Sequence, residues 1–144
     1  FDATIEQMVA LAVLMPIVAS MGGNAGTQTM TVTVRALATN KLGRVNAPRV
    51  VMREALVGIA NGLILSVIIA AVVFMWFGSG KLGAVIGAAM IVNAIAAGLA
   101  GILIPLTMEF LDLDPAPASG VFVTTVTDIV GFFAFLGLAT VWLV

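Results

Sequence analysis

The sequence has no cysteine and no histidine, and only 9% of its 144 residues are charged. Without cysteine there are no disulfides and no thiolate chemistry. Without histidine there is no imidazole base and none of the usual zinc ligand sets. Any metal ion must therefore be met by oxygen, from carboxylates, carboxamides, hydroxyls, backbone carbonyls or water. Such donors suit hard cations such as Mg²⁺, Ca²⁺ and Mn²⁺. No Ser/His/Asp or Cys/His set can be assembled, and the one glycine-rich run, GGNAG at 22–26, lies inside an apolar segment. An enzyme is the least expected function. A net charge of −1 gives no reason to expect a nucleic-acid partner.

What fills the chain instead is apolar. Hydrophobic residues make up 62% of it and the mean hydropathy is +1.22, whereas soluble domains run at roughly 45–50% apolar. The expected fold class is an all-α integral membrane protein whose partner is the lipid bilayer. Crossing about 30 Å of hydrocarbon takes about 20 helical residues. Four segments are long enough, at about 4–38, 50–77, 82–109 and 119–143, and together they form one transmembrane domain over 1–144. The first is expected to break near 22–28, where MGGNAGTQ interrupts it. The segments are separated by TNKLGRVNAP, GSGK and DLDPAPAS, all turn chemistry. Pro16 and Pro105 are expected to bend their helices. The opening FDATIEQM has neither an initiator Met nor a basic signal region, so the chain reads as part of a longer protein.

Arg35, Lys41, Arg44, Arg49 and Arg53 cluster about the first connection, and only Lys81 marks the second. The positive-inside rule then places loop 39–49 in the cytoplasm of a cell whose inner (plasma) membrane the chain crosses. By alternation loop 110–118 is also cytoplasmic, while loop 78–81 and both chain ends lie outside. Trp76 and Trp142 fall at the outer ends of their helices, as interfacial aromatics do. The acidic residues Glu109, Asp112 and Asp114 serve either as a solvated turn that caps the next helix or as a vestibule that concentrates cations.

Polar residues within the spans fall on stripes. Ser20, Asn24, Thr27, Thr31 and Arg35 follow each other by three or four residues, which is one face of a helix. Thr124, Asp128 and Gly131 do the same in the last span, with Thr125 and Thr127 beside them. Threonines in such places commonly join helices, and small residues let backbones approach, so Gly83, Gly87, Gly98 and Gly101 read as a packing surface with Asn93 as a bridge. Glu54, Gly58, Asn61 and Gly62 give the second helix a polar face, with Glu54 placed to pair with Arg49 or Arg53. Asp128 differs from all of these. An Asp near the centre of a span costs roughly 2.5–3.5 kcal/mol on insertion scales, and no basic residue lies nearby to offset that. A passing cation explains it better than packing does.

PIVASMGGNAGTQTMTVTVRALATNKL, followed later by DPAPASGVFVTTVTDIVGF, resembles the membrane domain of the MgtE family of bacterial Mg²⁺ channels. The first stretch is similar to the family's GGN-x-G-x-Q run and its R-A-L-A-T, the second to its D-P-A-x-x-S-G … T-x-x-D signature. The resemblance implies a homodimeric helical bundle of five spans per copy, one more than this sequence holds, with the ion path on the two-fold axis. Asp128 of each copy would bind the ion, helped by the backbone carbonyl of Thr124. Asn24, Thr27, Thr31, Gly120, Thr125 and Gly131 would line the path. Thr27 stands where many members have a second Asn. The family's cytoplasmic Mg²⁺-sensing domains have no counterpart in these residues.

The implied cargo is Mg²⁺, with Mn²⁺, Co²⁺ or Ca²⁺ as other candidates, conducted into the cytoplasm. Two alternatives use the same residues. In one, Asp128 is protonated and released in each cycle of a proton- or Na⁺-coupled divalent cation transporter. In the other, the chain is a non-conducting assembly module whose polar stripes only pack.

Overall fold

A computed structural model describes residues 2–38, 47–78 and 80–142, with backbone alone for 2–8, 36–38, 47–48, 50–51 and 115–118. All regular structure among these residues is helical: α1 Asp2–Ala38, α2 Ala47–Phe77, α3 Gly80–Phe110 and α4 Pro115–Trp142. Each helix is long and apolar enough to cross a membrane. The spans sit where the hydropathy places them, with ends displaced by a few residues. Lys41 and Arg44, in the first connection, lie outside the described residues.

One expectation fails. The GGNAGTQ run does not break the first helix, because α1 continues through it. Among the described residues only Gly78 and Asp112 have positive φ, so Gly22, Gly23 and Gly26 keep right-handed helical backbone. Hydrocarbon offers no partner to a freed N–H or C=O, which keeps the ladder closed. These glycines serve instead to admit neighbours. A methyl on Gly26 would lie 2.7 Å from Val123 Cγ1 of α4. Pro16 and Pro105 also lie inside α1 and α3 without ending either helix.

α3 is the hub, with 44% of its apolar span buried against 11% for α2. Its Gly- and Ala-rich sequence allows this, since small side chains let three neighbours approach the same helix. A methyl on Gly101 would lie 2.8 Å from the Gly26 carbonyl oxygen of α1, and one on Gly83 would lie 2.9 Å from the Ala70 carbonyl oxygen of α2. Gly98 is different: it is buried, yet a methyl there meets nothing within 4 Å, so no neighbour depends on its lacking a side chain. Towards the α2–α3 turn the core is bulky, built of Leu14, Val18, Val73, Leu82, Ile86, Met90 and Phe135. Towards the α3–α4 turn it narrows to Thr29, Thr33, Ala97, Ala100, Met108, Ser119, Val123 and Thr127. Asn93 sits where the two halves meet.

The acidic α3–α4 turn has a local explanation for two of its residues. Asp112 takes the left-handed conformation, φ 59°. Its N–H donates to the Glu109 carbonyl (3.1 Å), and the Leu113 N–H donates to Met108 (2.8 Å). That is the Schellman pattern for closing a helix. Asp114 then occupies the N-cap position of α4, with Pro115 at the first helical position where its missing N–H costs nothing. Ser119 is too far into α4 to cap it; its hydroxyl is buried and bonds to Met108 Sδ at 3.4 Å.

The contrast between Gly101 and Gly98 is testable. Gly101→Ala should destabilise the domain by about 1–3 kcal/mol, the usual cost of overpacking, whereas Gly98→Ala should be neutral within error. Unfolding in detergent, followed by circular dichroism or steric trapping, checks both.

Candidate functional site in the spans

Asp128 lies between Ser119 and Trp142, the ends of the α4 span, about 14 Å from one and about 21 Å from the other at 1.5 Å per residue. It is exposed on the surface of a single copy. Among the described residues it has neither an ion pair nor a hydrogen bond. Nor does any group of three or more carboxylate, histidine or cysteine side chains form a ready metal cage among them. One copy therefore presents one bare carboxylate near mid-depth.

The contacts between α1 and α4 show which residues accompany it. Methyls on Gly131, Gly23 and Gly26 would meet Val18, Thr127 and Val123 in turn, so the two helices run antiparallel with Gly23 level with Thr127. In an antiparallel pair, stepping one residue forward from a contact turns both helices by about 100° towards the same flank. From Gly23 and Gly26 that step reaches Asn24 and Thr27. From Val123 and Thr127 it reaches Thr124 and Asp128. Ser20 and Thr31 extend the same line on α1. All six are exposed. The two stripes seen separately in the sequence thus merge into one polar flank, lying where a soluble protein would meet water and this one meets lipid or a partner.

The other expected lining residues divide. Thr125 is exposed but lies about 100° further round α4 than Thr124. Gly120 is half-buried beside Met30. Gly131 is not on the flank: it is buried, and a methyl on it would lie 2.8 Å from Asn93 Nδ2 and 3.4 Å from Val18 Cγ1. The buried face of α4 advances by four residues at a time through Val123, Thr127, Gly131 and Phe135, and the drift of that spacing carries Gly131 inward.

Among the described residues no threonine hydroxyl bonds to another helix. Thr31 donates to the Thr27 carbonyl (2.8 Å) and Thr33 to Thr29 (3.0 Å). Thr125 donates to Val121 (2.7 Å) and Thr127 to Thr124 (3.0 Å). Each bond returns to the preceding turn of its own helix, the local alternative always open to Ser and Thr. One consequence touches the site. The Thr124 carbonyl already receives the helical N–H of Asp128 and the Thr127 hydroxyl, which uses both lone pairs. The Thr124 hydroxyl, donating to Gly120 (3.0 Å) and Val121 (3.1 Å), keeps its oxygen free to accept. Asn93 does bridge helices, its Nδ2 donating to the Val18 carbonyl at 3.0 Å. Glu54 makes no ion pair with Arg49 or Arg53 among the described residues.

A feature that the stripes alone do not reveal lies beside the flank. A recess of about 290 Å³ opens between α1 and α2 over α3, its lining including Asn24, Gln28, Asn61, Gly58 and Gly62. Its three carboxamides make no hydrogen bond among the described residues. Gln28 follows Asn24 by one turn, so the spacing that marks the stripe also points to it.

If the threonine bonds are local, removing them costs little. Thr33→Val and Thr127→Val, both at buried positions, should each cost less than about 1 kcal/mol, near the net worth of one hydrogen bond. A loss well above that in thermal unfolding would indicate bonds between helices.

Comparison with known proteins points to one family. Residues 15–138 match the family model described as MgtE, divalent cation transporter. Over 143 residues the chain is 36% identical to the magnesium transporter MgtE of Bacillus subtilis, covering 99% of this chain and 32% of that protein. The magnesium transporter MgtE of Enterococcus faecalis gives the same identity and coverage. That of Thermus thermophilus is 34% identical over 139 residues, covering 96% of this chain and 31% of that protein. The chain spans about one third of the length of these relatives. With its family model matched over most of its length, this membrane domain belongs to the MgtE divalent cation transporter family.

Proposed function

We propose that this domain conducts Mg²⁺ into the cytoplasm as a channel, along the polar flank of α1 and α4 closed against a second copy across a two-fold axis. Asp128 carries the reading. A mid-depth carboxylate, exposed on one copy and without a cationic partner among the described residues, is stable in a bilayer only where water, an ion or a partner meets it. The relatives named as magnesium transporters support Mg²⁺ as the cargo. Mn²⁺, Co²⁺ and Ca²⁺ are competitors for the same site.

The chemistry suits a partly hydrated ion. Mg²⁺ demands octahedral oxygen geometry and gives up water reluctantly. Two Asp128 carboxylates facing each other across the axis supply two negative charges and repel one another when alone. A divalent cation between them relieves that repulsion, and a monovalent one does so only in part. Thr124 then acts on the ion's water through its hydroxyl, since its carbonyl is already engaged twice. Asn24, Thr27 and Thr31 offer amide and hydroxyl groups to the same water. The arginines around the α1–α2 connection support a cytoplasmic position for that end and an outer one for the Trp76 end.

Asp128→Asn should lose selectivity for divalent over monovalent cations by at least about tenfold. Voltage-clamped flux in proteoliposomes measures this. Wild-type current should reverse at the Mg²⁺ equilibrium potential whatever the pH or Na⁺ gradient. Unchanged divalent selectivity in the variant would remove the Asp128 site. A reversal potential that follows protons or Na⁺ would replace the channel with a coupled transporter.

A further inference from the structure

Asn93 is a buried polar side chain that the proposed ion path leaves unused, and its surroundings are unusual. It is fully buried, with 0% exposure, midway along α3. Its Nδ2 bonds to the Val18 carbonyl of α1 (3.0 Å), while its Oδ1 is buried with no partner among the described residues. Two glycines make room for it. A methyl on Gly131 of α4 would come within 2.8 Å of Nδ2, and one on Gly22 of α1 would overlap the carboxamide.

Stability does not account for the residue. The Val18 carbonyl already accepts the helical N–H of Gly22, so the bond from Asn93 adds to a group that has a partner. The orphaned Oδ1 carries a desolvation cost that an apolar side chain of similar size avoids. A leucine would fill the space without either burden. The carboxamide does one thing a leucine cannot: it ties α3 to a chosen point on α1 while its width rests against α4.

Both attachments lie at the depth of the flank, on the buried faces of its two helices. Gly22 is two residues from Asn24, and Gly131 is one turn from Asp128. We propose that Asn93 is a positioning residue that fixes the spacing and register of α1 against α4 at the depth of Asp128, and so sets which divalent cation the site accepts. The inference rests on the Asp128 reading above. A site built to hold an ion through its water shell discriminates by small differences in size, so a shift of a fraction of an ångström between its walls reads out as selectivity.

The test is Asn93→Leu in the intact protein reconstituted in proteoliposomes, with the Mg²⁺ to Ca²⁺ flux ratio and the thermal midpoint measured on one preparation. The positioning role predicts a flux ratio reduced about fivefold or more, with the midpoint unchanged or raised. A residue that only packs predicts the reverse: a lowered midpoint and a ratio within twofold of wild type, which would overturn the inference. Asn93→Ala, which opens space rather than filling it, guards against a leucine variant that fails to fold, and should shift the ratio in the same way. Asp128→Asn in the same assay separates the two readings. If it alters the ratio and the Asn93 variants do not, only the positioning role falls. If it leaves the ratio unchanged, the site and the role that depends on it fall together.

Discussion

Hydrocarbon gives a polar group nothing to bond to, and the arrangement of this domain follows from how each polar group in the spans answers that constraint. The backbone answers with uninterrupted helices, even across a Gly-Gly-Asn-Ala-Gly run that would loosen a helix in water. The hydroxyls of Thr31, Thr33, Thr124, Thr125, Thr127 and Thr140 answer by bonding to the preceding turn of their own helices. Asn93 answers halfway, with a bonded nitrogen and an orphaned oxygen. Asp128 finds no answer within the described part of its own chain. The carboxamides of Asn24, Gln28 and Asn61 share that condition, and Asn24 lies with Asp128 on one flank of the α1–α4 pair. Packing through the α3 glycines makes the arrangement possible, because close contact at Gly26 and Gly101 fixes which side of α1 faces outward.

Much of this was legible in the sequence because bilayer thickness and helical periodicity leave few alternatives. The four spans follow from hydropathy, the polar stripes from spacing by threes and fours, and the proposal for Asp128 from its lack of a basic neighbour. What spacing alone could not supply was the relation between helices. Nothing in the spacing says that the α1 and α4 stripes merge, since that depends on the antiparallel register set at Gly23 and Thr127. Gly131 has the period of the stripe, yet it turns inward because the buried face of α4 drifts with its four-residue repeat. The glycines of α1 read as helix breakers when taken locally. Their use appears only beside Val123 and Asn93, which occupy the space that side chains at Gly26 and Gly22 would have filled. Nor does spacing show that the Thr124 carbonyl receives the Thr127 hydroxyl.

The proposed mechanism asks little chemistry of the protein. An ion that keeps most of its water needs charge at one depth, acceptors for the shell's hydrogens nearby, and walls held at a set distance. Asp128 supplies the first, the hydroxyls and amides of the flank supply the second, and the contacts of α3 with α1 and α4 supply the third. The acidic α3–α4 turn is less specialised, because Asp112 and Asp114 hold capping positions that the fold needs in any case.

The central claim is that a divalent cation binds on the flank that carries Asp128. Paramagnetic broadening by Mn²⁺ in the detergent-solubilised protein, with Mg²⁺ as competitor and Asp128→Asn as control, addresses it most directly. The account requires broadening centred on residues 124–131 and 20–31 that Mg²⁺ displaces and the variant abolishes. Broadening confined to Glu109, Asp112 and Asp114 would contradict it, leaving an acidic surface turn as the only place where this domain meets the ion.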